Sequence, residues 1–102
     1  MKKIFVDIDE TICITPEPDE NGQRDYSKSK VIQENLDKIN KLFEEGNHIT
    51  YWTARGSVNG KDWWDLTHKQ LLGWGAQFHE LLCTKPFFDI LIDDRTIRIE
   101  EL

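Results

Sequence analysis

Two aspartates one residue apart, Asp7 and Asp9 in Asp7-Ile8-Asp9-Glu10-Thr11, close the apolar run Ile4-Phe5-Val6. Carboxylates at such a point can attack, carry protons or hold a cation. An apolar run without alternation reads as a strand buried on both faces, the habit of a parallel sheet, whose carboxyl edge is where ligands bind. Residues two apart on a strand begin on the same side, so the spacing predicts one shared site for Asp7 and Asp9. The plainer reading of such a pair is a capped turn, because Asp often accepts backbone hydrogen bonds at strand ends.

The elements that must position these acids follow from hydrophobic spacing. Residues 15–30 carry Pro16, Pro18, Asn21 and Gly22, too turn-rich for a helix and too long for a simple connector; beside the acids they read as a flap. Val31, Ile32, Leu36, Ile39, Leu42 and Phe43 recur at helical spacing from about Ser29, with Gly46 as the stop. His48 to Thr53 reads as a second strand, ending in Ala54-Arg55-Gly56 and a loop to Gly60. A second helix is expected from about Lys61 to Trp74, stopped by Gly75, and a short third strand within Phe78 to Cys83. Ile90-Leu91-Ile92 reads as another buried strand ending in Asp93-Asp94, and Thr96 to Ile99 as a small edge strand. Strands alternating with helices imply an α/β fold, with its polar strand ends on one edge.

That edge would collect Asp7, Asp9, Thr11, Thr53, Arg55, Asp93 and Asp94, with Lys85 in the loop before the last long strand. Two carboxylates at about 4 Å repel by on the order of 4 kcal/mol at an effective dielectric near 20, so four of them call for a cation. Oxygen donors without a His or Cys cluster favour a hard ion, and Mg²⁺ takes one or two carboxylates, waters and a substrate phosphate. With a phosphate in place, one carboxylate could attack phosphorus while a hydroxyl and an ammonium held the other oxygens. A second carboxyl could then move the proton.

The order Asp-x-Asp-x-Thr after strand one, Thr after strand two, Lys, then Asp-Asp after a late strand resembles the haloacid dehalogenase (HAD) superfamily of phosphohydrolases over essentially the whole chain. Asp7-Ile8-Asp9-Glu10-Thr11 looks like its first motif, Thr53 its second, Lys85 its third and Asp93-Asp94 its fourth. The flap, the Thr53-Ala54-Arg55-Gly56 turn and Lys85-Pro86 look most like small capless members associated with capsule or polysaccharide biosynthesis. The resemblance implies a Rossmann-like three-layer sandwich with a mostly parallel sheet and no cap domain. It implies Asp7 as nucleophile and metal ligand, and Asp9 as general acid and base that lends its backbone carbonyl to Mg²⁺. Thr53 would bind the phosphoryl group, Lys85 would neutralise it and orient Asp7, and Asp93 would complete the metal sphere with Asp94 assisting. Thr11 and Arg55 join the substrate contacts, although Arg55 could equally pair with a carboxylate of the flap or of Asp94. Most members have Gly where this chain has Glu10; the carboxy-terminal-domain phosphatase branch also carries Asp-x-Asp-Glu-Thr.

Length and composition bound the alternatives. At 102 residues the chain reads as one domain, 1–102, with a single core, so cover for the site must come from the 15–30 loop or another subunit. Hydrophobic residues at 38% and charged residues at 31% describe an ordinary soluble globular domain, and no stretch approaches transmembrane length. A net charge of −6 argues against a nucleic-acid groove. Met1-Lys2-Lys3 followed by three apolar residues is no secretory leader, and Cys13 and Cys83 are too few for a disulfide scaffold, so a cytoplasmic protein with reduced thiols is expected. Neither cysteine starts a Cys-x5-Arg phosphatase loop, since Asp19 and Asp89 stand where Arg would be; Gly56 to Lys61 is one residue short of a P-loop. Trp63 and Trp64 cannot both face one core, so one is expected at a subunit contact or beside the active-site loop. The expected activity is Mg²⁺-dependent hydrolysis of a small phosphorylated metabolite, such as a sugar phosphate. Its rival is a receiver-like phospho-accepting signalling domain or a phosphate-binding domain without turnover, though a receiver would place its acidic pair first.

Overall fold

A central strand with two parallel neighbours organises the molecule, a computed structural model describing residues 1–56 and 62–102. Strand β1 (Lys3–Val6) pairs in parallel with β4 (His48–Trp52), setting Ile4 opposite Ile49 and Val6 opposite Tyr51; β4 pairs in parallel with β5 (Glu80–Leu82). Parallel neighbours need crossovers, supplied here by helix α1 (Gln33–Glu44) between β1 and β4 and α2 (Trp64–Trp74) between β4 and β5. β4, in the middle, buries Ile49, Thr50 and Tyr51 in succession, as a strand covered on both faces must. The α/β class and the mostly parallel sheet therefore stand as the sequence predicts.

Both helices end where glycine permits it. Gly46 (φ 94°) and Gly75 (φ 82°) take the left-handed conformation that closes a helix without a Cβ clash. Helix α1 turns Leu36 and Ile39 inward, and α2 turns Thr67 and Leu71. Helix α1 starts four residues later than the periodicity suggests, because Lys30–Val31 forms strand β3, antiparallel to β2 (Cys13–Ile14). This two-stranded ribbon clamps the root of the 15–30 loop. The loop therefore leaves and rejoins the body at one place.

Three expectations near the chain's ends are corrected. Ile90-Leu91-Ile92 is not a buried strand: Ile90 is 79% and Ile92 93% exposed, and the run has no ladder partner among the described residues. Bends at Asp89 and at 94–95 leave only four residues between them, enough for a couple of ladder hydrogen bonds, and Asp93 caps the second bend by accepting the Arg95 N–H at 3.0 Å. Thr96 to Ile99 is not a strand either; a 3₁₀ turn occupies Ile99–Glu101. As a result β1 is an edge strand with one face open, so Phe5 is 55% exposed and meets Trp52 edge to face, contrary to the both-faces-buried expectation. Residues 57–61, which hold the rest of the expected loop to Gly60, the P-loop-like stretch and the expected start of the second helix, lie outside the described residues.

No helix among the described residues is long and apolar enough to cross a membrane. Trp63 packs edge-on against Tyr26 of the 15–30 loop, while Trp64 stacks on His68 and donates its indole N–H to the Leu81 carbonyl. The pair thus splits between loop and sheet.

Candidate active site

The turn after β1 sets out its acids by burying the residue between them. Ile8 and Ile12 are wholly enclosed in the core, and the Ile8 carbonyl accepts the N–H groups of Thr11 and Ile12 at 3.1 and 2.9 Å. With Ile8 pinned inward, Asp7 and Asp9 emerge on either side of it. The turn also forces Glu10 to φ 64°, a conformation non-glycine residues adopt at a cost of about 1 kcal/mol or more. Glu10 recovers part of that cost by accepting the Thr15 N–H and pairing with Arg24 at 3.9 Å, both in the loop. Accordingly, Glu10→Gly should change unfolding free energy by less than about 1 kcal/mol, whereas β-branched Glu10→Val should cost roughly 2 kcal/mol or more in urea melts.

Asp7 and Lys85 form the first half of the site. The Lys85 ammonium lies 3.3 Å from Asp7 Oδ1, and the Thr11 hydroxyl donates to Asp7 Oδ2 at 3.4 Å. Lys85 is fixed from two further directions by the rings of Trp52 and Phe88, 5.6 and 5.3 Å away, and its own N–H bonds the Thr53 carbonyl at 3.1 Å. Asp7, Glu10, Thr11, Lys85, Phe88 and Asp93 all line one groove of about 1150 Å³ along the open edge of β1. Burial pushes the Asp7 carboxyl above its ordinary value, and Lys85 opposes the rise. The folded state therefore holds this proton more tightly than the unfolded chain, so the stabilisation is complete below the unfolded value of 3.8 and is lost as pH climbs through the folded one. The stability of wild type relative to Asp7→Asn should thus decline with rising pH from that point; a flat difference in melts across pH would contradict it.

Asp9 and Arg55 form the second half, and here one expectation is corrected. Arg55 is only 2% exposed and is not available to a substrate. Its Nε donates to Asp9 Oδ2 at 3.1 Å and Nη2 to Asp9 Oδ1 at 2.9 Å, the planar fork matching the carboxylate. Nη1 donates to Thr67 at 2.9 Å and Gln70 at 2.6 Å, and Nη2 also reaches Ser29 at 3.3 Å. All five N–H groups are thereby occupied. The partner is Asp9, neither a flap carboxylate nor Asp94. Thr53 is also buried, 1% exposed, its hydroxyl accepting the Arg55 backbone N–H at 3.2 Å, and it does not line the groove.

The acids expected to share a metal are not gathered here. Asp93 lines the groove but caps its own turn, and Asp94 pairs with Arg95 at 3.9 Å on the surface, because residues 90–92 do not run alongside β1. Among the described residues no three His, Cys, Asp or Glu side chains stand close enough to hold an ion. Of the acids that line the groove, Asp7 and Asp93 supply hard oxygens of the number Mg²⁺ commonly takes from a protein, so the donor chemistry fits that ion, while Asp94 does not line the groove.

The residues that sequence reasoning missed are those around Asp9: Thr15, whose hydroxyl donates to Asp9 Oδ1, and Ser29, Thr67 and Gln70 around the guanidinium. A signal was present, since Thr67 and Gln70 are three apart on the helical face that also carries Leu71, polar groups on a stripe meant for the core.

No protein-family model matches the chain, and no curated protein matches its sequence significantly. A crystal structure of a structural-genomics target from Vibrio cholerae superposes with a TM-score of 0.78 at 23% identity, over 99% of this chain and 86% of that one. The two share a fold. At that identity the likeness carries no activity from one to the other.

Proposed function

We propose that the protein is a Mg²⁺-dependent phosphatase of the HAD type, with a Rossmann-like capless core, acting on a small phosphorylated metabolite such as a sugar phosphate. The observation that carries this reading is the Asp7–Lys85 pair: a carboxylate with an ammonium 3.3 Å away, opening into a groove at the carboxyl end of a parallel strand. An oxygen of Asp7 attacks phosphorus, the Oδ–P bond forms and the bond to the leaving oxygen breaks. Lys85 offsets the charge on the non-bridging oxygens, and the Thr11 hydroxyl, which donates to Asp7 Oδ2, would turn to donate to one of them. Asp9 supplies the leaving oxygen with a proton and later takes one from the water that cleaves the aspartyl-phosphate. Mg²⁺, held by Asp7, Asp93 and the Asp9 carbonyl, would neutralise charge on the transferring group.

Purified protein should hydrolyse an aryl phosphate with added Mg²⁺ and stop when EDTA is in excess. Turnover undiminished by EDTA would remove the metal from the proposal; no turnover across a panel of phosphorylated metabolites would remove the phosphatase. The position of Asp94, outside the groove and paired with Arg95, favours one other reading, a domain that accepts phosphate on Asp7 without releasing it. Intact mass after incubation with acetyl phosphate separates the two: a lasting single phosphate adduct marks the acceptor, a catalytic loss of acetyl phosphate the enzyme.

A further inference from the structure

The proton-carrying carboxylate is tied to the 15–30 loop through a buried guanidinium. Asp9 Oδ1 accepts the Arg55 Nη2–H and the Thr15 hydroxyl, with the Cys13 thiol at 3.6 Å, whereas Oδ2 accepts the Arg55 Nε–H alone among the described residues. Each carboxylate oxygen has two lone-pair directions, so Oδ1 is filled and Oδ2 keeps one open. One of the groups that fill Oδ1, the Thr15 hydroxyl, belongs to the root of the loop, and the other, Arg55, is held there by Ser29. Thr15 opens the loop and Ser29 closes it, their hydroxyls lie 2.9 Å apart, and Ser29 also receives Arg55 Nη2. Further along, Tyr26 sits with its ring 4.7 Å from the guanidinium carbon, and its carbonyl accepts from Gln70, which in turn accepts from Arg55. Moving the loop therefore strains the hold on Asp9.

We propose that Arg55 is a positioning residue: with Thr15 and Ser29 it locks Asp9 so that Oδ2 is the oxygen that carries the proton, and it makes loop seating and Asp9 orientation one event. The proposal rests on the phosphatase reading for its chemistry, but the coupling of loop to carboxylate is independent of it. Lys at position 55 would keep the charge and lose the fork.

Hydrogen exchange on the full-length chain reads the coupling directly. Arg55→Lys and Ser29→Ala should each speed exchange of amides in 19–29 by about tenfold while leaving those of β4 unchanged, the local opening expected when a tether is cut. Unchanged loop exchange in both variants overturns the proposal whatever the turnover. Kinetics read the orientation: with an alkyl phosphate, a poor leaving group, kcat should fall about thirtyfold or more, with a good aryl leaving group about threefold or less, and KM should move little in either case. Equal losses with both esters would reduce Arg55 to a structural role and overturn it as well. Should Arg55→Lys not fold, Ser29→Ala, which leaves the Asp9–Arg55 pair intact, carries both measurements. A wild type without any phosphatase activity would refute the reading of the site, and loop exchange would still decide the coupling.

Discussion

Asp7→Asn should abolish phosphate release, by about a thousandfold or more, while the protein melts at the wild-type temperature or higher. The activity loss follows from the proposed chemistry, because an amide cannot form the acyl phosphate, a mixed anhydride, that splits the reaction into two steps; a thousandfold is about 4 kcal/mol of barrier. The stability side comes from the environment. Burial disfavours the Asp7 anion, and asparagine removes that charge at nearly constant shape, although Lys85 loses its partner. Steady-state assays on an aryl phosphate beside thermal melts test both halves. Residual turnover within tenfold of wild type would exclude Asp7 as nucleophile, and a large drop in melting temperature would show that the ion pair with Lys85 matters more than the burial.

Arg55→Ala should be the most damaging single truncation to the fold itself. The guanidinium is wholly enclosed and holds two bonds to Asp9 and three to neutral side chains, so its removal strands a partly buried carboxylate and the hydroxyl and amide partners together. Breaking one side of a buried pair typically costs about 3–5 kcal/mol. Against a total stability of roughly 5–15 kcal/mol for a small domain, that is a large share, and melting should fall by on the order of 15 °C or more. Arg55→Met, which refills part of the volume, should recover little, since the loss lies in Asp9. Urea denaturation measures this; a cost below about 1 kcal/mol would mean that water reaches and replaces the guanidinium.

The two helices and the middle strand were legible because burial repeats along them: Leu36 and Ile39 on α1, and Ile49 to Tyr51 on β4, with Gly46 and Gly75 as physical stops. Asp7 and Lys85 were legible as a pair by motif order, and they do meet. What could not be read is whatever depends on the far side of a contact. An apolar triplet such as Ile90-Leu91-Ile92 carries no information about whether an edge accepts it, and here it stays exposed, leaving Asp93 to cap its own turn, Asp94 paired with Arg95 at the surface and Phe5 uncovered. Arg55 read equally as a substrate contact or as the partner of a carboxylate in the flap or of Asp94; that it pairs with Asp9 instead follows from contacts distant in the chain, including Thr67 and Gln70 from a helix twelve or more residues on.

Cys13 turns the Asp9 cluster into something that can be timed from outside. Its thiol is enclosed, and burial first, then the neighbouring Asp9 charge, pushes it up to about 11, so at pH 7 roughly one molecule in ten thousand carries the reactive thiolate. Cys83 is less buried and can be alkylated from the closed protein. The lag between the first and the second alkyl mass added to a single sample is then a stopwatch on how often the walls around Cys13 part, and it needs neither substrate nor metal to run.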